Sequence, residues 1–281
     1  MKIAVVGFGS IGRRHAKNLT NMGHEVVPID LKNPLTFDVD CAFICSPTQY
    51  HAEHAIEYIS RDVPVFIEKP ITHSLEDLEK LEKAIEAKPV ISMVGCNLRF
   101  HPSLREAKSM VDRKRVIYAR AEFGYYLPFW RKGDYTKSYS ASKYGGIIID
   151  DIHEVDYLFW LFGDFKDFKI VCDKVSDLEI EKEDIAEISM VFERGVSASV
   201  HCDYLMKNYH RELTLYFPHQ SVKYDLFPTN LMYKKEIEYF LGCVRDGVEP
   251  MNNIKEAAYV LRKIINAKEC GCHNSGKANL D

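Results

Sequence analysis

The apolar run Ile3-Ala4-Val5-Val6 leads directly into Gly7-Phe8-Gly9-Ser10-Ile11-Gly12, and residues 10–22 then place Ile11, His15, Leu19 and Met22 at helical spacing. A strand without polar alternation is one covered on both faces. The opening residues therefore demand a buried parallel strand, a tight turn and a helix packed back on that strand. Each glycine answers one need. Gly7 allows the turn, Gly9 lets backbone approach a pyrophosphate, and Gly12 permits close helix–strand packing. The start of the helix supplies N–H groups and the positive end of its dipole, which suit phosphate. Asp30 ends the next strand, 18 residues after Gly12. A carboxylate there accepts hydrogen bonds from ribose hydroxyls and repels a 2′-phosphate. Residues 7–12 and Asp30 thus read as a dinucleotide site favouring NAD over NADP, although Lys32 follows closely enough to weaken that discrimination.

The same strand–helix alternation continues to residue 95. Strands are expected at 25–29, 41–45, 63–67 and 89–94, with helices over 50–60 and from Ser74, whose hydroxyl caps a stripe of Leu75, Leu78, Leu81 and Ile85. Such a pattern gives parallel strands with crossover helices, a doubly wound α/β sheet. Beyond residue 96 the pattern changes. A helix is expected at 102–111, a strand at 116–123, an aromatic and glycine-rich loop over 124–146, and one apolar helix over 147–162. Five strands follow (166–173, 184–193, 196–204, 211–217, 221–225), then helices at 233–245 and 253–269. Short links between successive strands imply a largely antiparallel sheet. The expected division is an α/β domain over 1–96 and an α+β domain over 97–281.

Composition narrows the function classes. Across 281 residues, 37 Lys and Arg face 41 Asp and Glu, so no basic excess drives nucleic-acid binding. No run of 18 apolar residues offers a membrane span, and the N-terminus lacks a secretory apolar segment. A cytoplasmic protein is the expectation. Cys41, Cys45, Cys96, Cys172 and Cys202 sit singly in apolar runs, as reduced thiols do when they pack as small hydrophobes. Cys270-Gly271-Cys272-His273 lacks a second ligand pair at zinc spacing. No metal is expected.

Open parallel sheets bind ligands at the carboxyl ends of their strands. Ser46-Pro47-Thr48 ends one strand, with His51 opening the next helix, and Glu68-Lys69-Pro70 ends another. The second cluster reads equally well as a solvated strand end until its place on that edge is considered. A third constellation runs from Gly145-Gly146 through Asp150, His153 and Tyr157. On one continuous helix these three share a face at i, i+3 and i+7, where carboxylate and imidazole can meet.

Taken together, the glycine turn, Ser46-Pro47-Thr48-x-x-His51, Glu68-Lys69-Pro70, Asn97-Leu-Arg99-Phe-His-Pro102 and the block from Gly145 to Gly163 resemble the Gfo/Idh/MocA oxidoreductases. These are sugar and cyclitol dehydrogenases with a Rossmann domain and a sheet-rich second domain. The stretch Tyr139-Ser140-Ala141 followed by Asp150-x-x-His153-Glu-x-Asp156-Tyr resembles members linked to surface-polysaccharide and amino-sugar pathways. The resemblance implies that Lys69 is the catalytic lysine and His153 the proton-transfer residue; Asp150, three residues before His153, is placed to fix the imidazole's tautomer. The resemblance also implies nicotinamide contacts near Lys69 and Asn97 and from Trp130-Arg131, and a cis Lys69–Pro70 bond. An antiparallel sheet with helices on one side leaves its other face needing cover, with Val196, Ala198, Val200 and His201 as a mixed face there, and the resemblance likewise implies a homodimer or homotetramer paired through that sheet. Two departures stand out. Only seven residues separate Asp30 from Asp38, so the Rossmann domain is one βα unit short. Tyr144 replaces the first of the three glycines usual before the Asp/His helix.

Three function classes follow: a dehydrogenase moving hydride between a sugar, nucleotide-sugar or cyclitol hydroxyl and NAD; a glycosidase that oxidises, eliminates and re-reduces; and a dinucleotide binder without catalysis. A mere binder needs neither Lys69 nor His153, which argues against the last. Net NADH formation separates the first two.

Overall fold

Short buried strands and amphipathic helices alternate through the first hundred residues, because strands covered on both faces need helices on both sides of their sheet. The computed structural model describes residues 1–30, 35–130 and 132–271. It begins with β1 (Lys2–Val6), α1 (Ser10–Asn21), β2 (Glu25–Ile29), β3 (Cys41–Ile44), α2 (His51–Ile59), β4 (Val65–Glu68), α3 (Leu75–Ala87) and β5 (Ser92–Gly95). The five strands pair in parallel in the order β2-β1-β3-β4-β5. The chain leaves β1 toward β2 on one side and continues through β3 on the other, so the order reverses beside the glycine turn. Among the described residues β2 is the edge strand, in keeping with the missing βα unit. Ser74 caps α3 by accepting a hydrogen bond from the Asp77 N–H at 3.2 Å.

The next elements are α4 (Pro102–Val111), β6 (Tyr118–Gly124), α5 (Leu127–Trp130), α6 (Ile147–Asp150), α7 (His153–Phe162), β7 (Phe165–Asp173), β8 (Ile185–Phe192), β9 (Ser197–Asp203), β10 (His210–Phe217) and β11 (Gln220–Asp225), then α8 (Asn230–Asp246) and α9 (Ile254–Gly271). The helix at 102–111 forms where expected: Pro102 takes the first helical position, and His101 Nδ1 accepts from the Ser103 N–H. The second sheet has the order β11-β10-β6-β9-β8-β7. It is antiparallel except between β6 and β9, which run parallel. One face is buried and apolar, through Ala119, Ala121, Phe123, Ile188, Val200, Leu213 and Leu215.

Three expectations change. Residues 147–162 are two helices, broken at Asp151 and Ile152. Val196, Ala198 and Val200 are buried. His201 alternates with them on β9 and lies on the opposite face, so these four residues do not form one surface. Cys172 is disulfide-bonded, which departs from the expectation of a reduced thiol there.

The chain forms two compact units, Met1–Phe100 with Thr229–Arg262, and His101–Pro228 with Lys263–Asp281. The expected division at 96/97 gave everything after that point to the second domain. The return of α8 has a packing cause. Phe43 and Phe66 stack at 4.6 Å on one side of the first sheet, and Phe240 of α8 meets both edge-on at 5.6 Å. No helix among the described residues is long and apolar enough to cross a membrane.

Candidate functional site

In the first unit the carboxyl ends of β1, β3 and β4 bring several of the expected residues together. The Gly7 N–H donates to Ile29 O at 2.9 Å, and the Cys45 N–H to Val6 O at 2.7 Å. Gly7 has φ +90°, and a Cβ there would stand 2.5 Å from the Ser46 Cα. Gly12 is tighter still, since its Cβ would lie 2.0 Å from Gly7 O. At Gly9 nothing lies within 4 Å of an added Cβ. Gly9 is also the N-cap of α1, with no side chain capping the helix and no acidic residue in its first turn. Uncapped N–H groups, a positive helix end and an open approach over Gly9 fit a dinucleotide pyrophosphate. Phe8, Gly9 and Ser10 are exposed and Ile11 is half-buried. Asp30 is exposed at the end of β2. Lys32 lies outside the described residues.

Ser46 and Thr48 are buried and Pro47 is exposed. His51 is a strut. Its Nδ1 lies 2.9 Å from Pro70 O and its Nε2 2.7 Å from Ser46 O. Both ring nitrogens thus face backbone, tying the turn after β3 to the loop after β4. Burial lowers the imidazole pKa, against the two carbonyl contacts that raise it. Glu68 is buried and meets His15 Nε2 at 2.5 Å. His15 is fully buried within α1, ringed by Phe43, Phe66 and Tyr233. The helix that starts at the glycine turn is therefore joined to the residue preceding Lys69. Lys69 is half-buried, and its bond to Pro70 is cis. Asn97 is buried in a 3₁₀ turn. Arg99, beside it and wholly buried, donates to Asn252 Oδ1 and pairs with Glu256, each at 3.2 Å.

The second unit gathers the other set. Gly145 and Gly146 do admit close approach, but by the chain itself. A Cβ on Gly145 would stand 2.5 Å from the Tyr139 and Ser140 carbonyl oxygens, and one on Gly146, at φ +102°, 2.6 Å from Glu183 Oε1. Lys268 holds that Glu183 carboxylate at 2.6 Å. Asp150 ends α6, and its Oδ2 accepts from the Ser140 hydroxyl and, at 3.3 Å, from the Tyr204 hydroxyl. His153 is buried and opens α7. Because the helix breaks between them, Asp150 and His153 are not related by the i, i+3 spacing of one helix. Trp130 is 41% exposed. Its ring stacks on Tyr209 at 5.6 Å and 11°, and meets Tyr125 at 4.5 Å. Arg131 lies outside the described residues.

Sequence reasoning missed Arg211. On β10, with its side chain only 6% exposed, it pairs with Glu154 at 3.0 Å and Asp151 at 3.3 Å. Burial pushes Glu154 up to about 7, against the pull of Arg211. The period-2 pattern of β10 placed Arg211 among inward-facing residues, which is the signal that could have found it. Among the described residues one cluster of metal-ligand type occurs, Glu122, His210 and Glu212 on the open sheet face. Arg120 and Lys223 pair with its carboxylates. Cys270 is free and exposed; Cys272 and His273 lie outside the described residues.

Comparison with known proteins agrees with this layout. The model of the oxidoreductase family, NAD-binding Rossmann fold, matches residues 30–96, and that of the GFO/IDH/MocA C-terminal domain matches residues 104–223. The scyllo-inositol 2-dehydrogenase (NAD(+)) of Bacillus subtilis (strain 168) is 27% identical over 189 residues, 58% of this chain and 54% of that protein. The 2,7-anhydro-N-acetylneuraminate hydratase of Mediterraneibacter gnavus is 30% identical over 132 residues, 45% of this chain and 34% of that protein. The chain spans about half the length of the curated relatives it matches. Among solved structures, a myo-inositol dehydrogenase from Corynebacterium glutamicum ATCC 13032 superposes with a TM-score of 0.84 at 21% identity, over 96% of each chain. With its two halves matched in order by the two domain models, the chain belongs to the GFO/IDH/MocA oxidoreductase family.

Proposed function

We propose that the protein is an NAD-dependent oxidoreductase that moves hydride between nicotinamide and a secondary hydroxyl of a sugar, nucleotide-sugar or cyclitol. The uncapped start of α1 beneath an open Gly9 carries this reading, and family membership supports it. Gly7 to Gly12 would hold the pyrophosphate, Asp30 the adenosine ribose, and Ser46, Pro47, Thr48, Glu68, Lys69, Asn97 and Trp130 the remainder, with His51 bracing two of these loops. Bound NAD supplies the hydride acceptor. His153 takes the hydroxyl proton at an imidazole nitrogen, and Asp150 favours the cation that results. Lys69 donates a hydrogen bond from Nζ to the substrate oxygen as negative charge develops on it. Asp30 makes NAD the preferred cofactor over NADP.

The test is NAD reduction with a panel of free sugars, cyclitols and nucleotide sugars, repeated with Lys69→Ala and His153→Ala. His153→Ala should lose about 10²–10⁴ in turnover and Lys69→Ala on the order of 10²–10³, both with NAD affinity within a few-fold of wild type. Full turnover in a folded variant removes that residue from the mechanism. A relative named as a hydratase favours a second reading, a reaction without net redox change. Product formation without accumulated NADH would select it.

A cytoplasmic location is part of the proposal, and the open face of the second sheet supports a homodimer or homotetramer. It carries Tyr118 and Tyr216 in mutual contact at 5.6 Å, and exposed Val171. The two tyrosines lie on β6 and β10, which with β11 carry the charge pairs Lys223–Glu212 and Arg120–Glu122, and Val171 lies at the far edge on β7. Light scattering that gives a monomer at micromolar concentration contradicts the assembly.

A further inference from the structure

One guanidinium holds the chain on both sides of His153. Arg211 pairs through Nε with Glu154 Oε1 at 3.0 Å, and its Nη2 lies 3.3 Å from both Glu154 Oε2 and Asp151 Oδ1. Asp151 stands two residues before His153, and Glu154 directly after it. The Tyr125 hydroxyl donates to the other Asp151 oxygen at 3.3 Å. The guanidinium carbon itself sits 3.5 Å over the Phe123 ring. Arg211 and Phe123 are paired residues of β10 and β6, so the clamp is mounted on the sheet. The chain held by it is the break between α6 and α7, where Asp151 leaves helical geometry at φ −116°, ψ 52°.

Such a clamp is an expensive way to fill a core. Replacing a buried ion cluster by apolar residues of like volume is often neutral or stabilising, so the triad calls for a positional reason. A planar fork that reaches two carboxylates at once fixes their separation, which an ammonium on a flexible stem does not.

We propose that Arg211 is a positioning residue for His153: by gripping Asp151 and Glu154 together it sets the first turn of α7 and holds the imidazole in one orientation. The importance of that orientation rests on the reading of His153 as the proton-transfer group. The geometry of the clamp stands without it.

The test needs no substrate. The full chain is labelled with ¹⁵N at histidine, and the two ring-nitrogen shifts of His153, assigned by their loss in His153→Asn, report its tautomer. Wild type should show one dominant tautomer. Arg211→Met should bring the two shifts toward their averaged positions, and Arg211→Lys should restore them only in part. Asp151→Ala removes one arm of the clamp at a half-buried position and should shift the signals in the same direction. It carries the test if Arg211→Met does not fold. His153 shifts unchanged from wild type in folded Arg211→Met, or unchanged in Asp151→Ala where Arg211→Met does not fold, overturn the proposal. A purely structural arginine would lower the melting temperature and leave those signals in place. Undiminished turnover in His153→Asn would end the proton-transfer reading while leaving the ring-nitrogen result intact, so the two failures are distinct.

Discussion

Gly9→Ala and Gly12→Ala differ by three positions in one turn and should fail in opposite ways. At Gly12 the new methyl carbon would stand 2.0 Å from Gly7 O and 3.3 Å from Cys45 Cβ. The nearer atom is backbone, so α1 has to move off β1. Overpacking of this kind costs about 1–3 kcal/mol and occasionally more. The gain in helix propensity over glycine offsets up to about 1 kcal/mol. A net loss of about 2 kcal/mol lowers the melting temperature by roughly 4–8 °C in a protein of this size. At Gly9 the backbone, φ −72° and ψ −162°, is open to any residue, and no atom lies within 4 Å of the methyl. The lower unfolded-state entropy of alanine is worth about 0.4–1 kcal/mol, close to what alanine loses against glycine at an N-cap. Stability should barely change. The methyl nevertheless stands where the pyrophosphate approaches the uncapped N–H groups, and a tenfold loss of NAD affinity, about 1.4 kcal/mol, is the minimum expected. Calorimetry and thermal melts with and without NAD read both effects. At NAD concentrations 100 times the wild-type Kd, wild type gains about 2.7 kcal/mol from the ligand. Gly9→Ala should gain about 1.4 kcal/mol at the same concentration. Wild-type NAD affinity in Gly9→Ala refutes a pyrophosphate across Gly9, and a wild-type melt in Gly12→Ala refutes the packing argument.

Ser74→Ala removes the acceptor of the Asp77 N–H at the start of α3; it should cost about 1 kcal/mol in a denaturant titration and leave NAD affinity unchanged. His201, between Glu187 at 2.6 Å and Asp203 at 2.8 Å, has its imidazole raised from 6.5 to about 9, first by the Asp203 hydrogen bond and then by Glu187, against burial. Because the folded value exceeds the unfolded one, its stabilisation is complete below pH 6.5 and is lost as pH rises through about 9. Arg120, Glu122 and Ser199 line the same concavity. Melts of wild type and His201→Gln should therefore converge across that window, and parallel curves exclude the pairing. NADP binding should tighten relative to NAD in Asp30→Ala, and an unchanged ratio would remove Asp30 from the ribose.

Local signals carried the first unit well. Its inner strands β1, β3 and β4 are apolar on both faces, its helices have one stripe each, and the strand at 25–29 forms over the expected residues, as does the helix at 102–111 in the second unit. What escaped was nonlocal. The amphipathic pattern of 233–245 announces a helix but does not say which apolar surface it covers. Only Phe43 and Phe66, far back in the chain, decide that Phe240 belongs with them. The parallel pairing of β6 with β9 is equally invisible, because alternation along a strand records its two faces and not the direction of its neighbour.

At the candidate site the division falls within a single motif. Gly7, Gly9 and Gly12 announce their roles because each meets its constraint within a few residues or at an adjacent strand end. The Asp/His block misled because its apolar residues continue a helical stripe across Asp151 and Ile152, and periodicity has no term for a pull from elsewhere. Beside the break between α6 and α7, Arg211, 60 residues beyond Asp151 and 57 beyond Glu154, bonds to both. Asp150 likewise accepts from Ser140 and from Tyr204, 54 residues on. Glu68 has the same character, since its partner His15 sits 53 residues earlier on a stripe that reads as plain core. In each case the residue type was legible and the partner was not. The two carboxylates that flank His153 in sequence are held by Arg211 of β10, and not by a residue of the helix that bears the histidine.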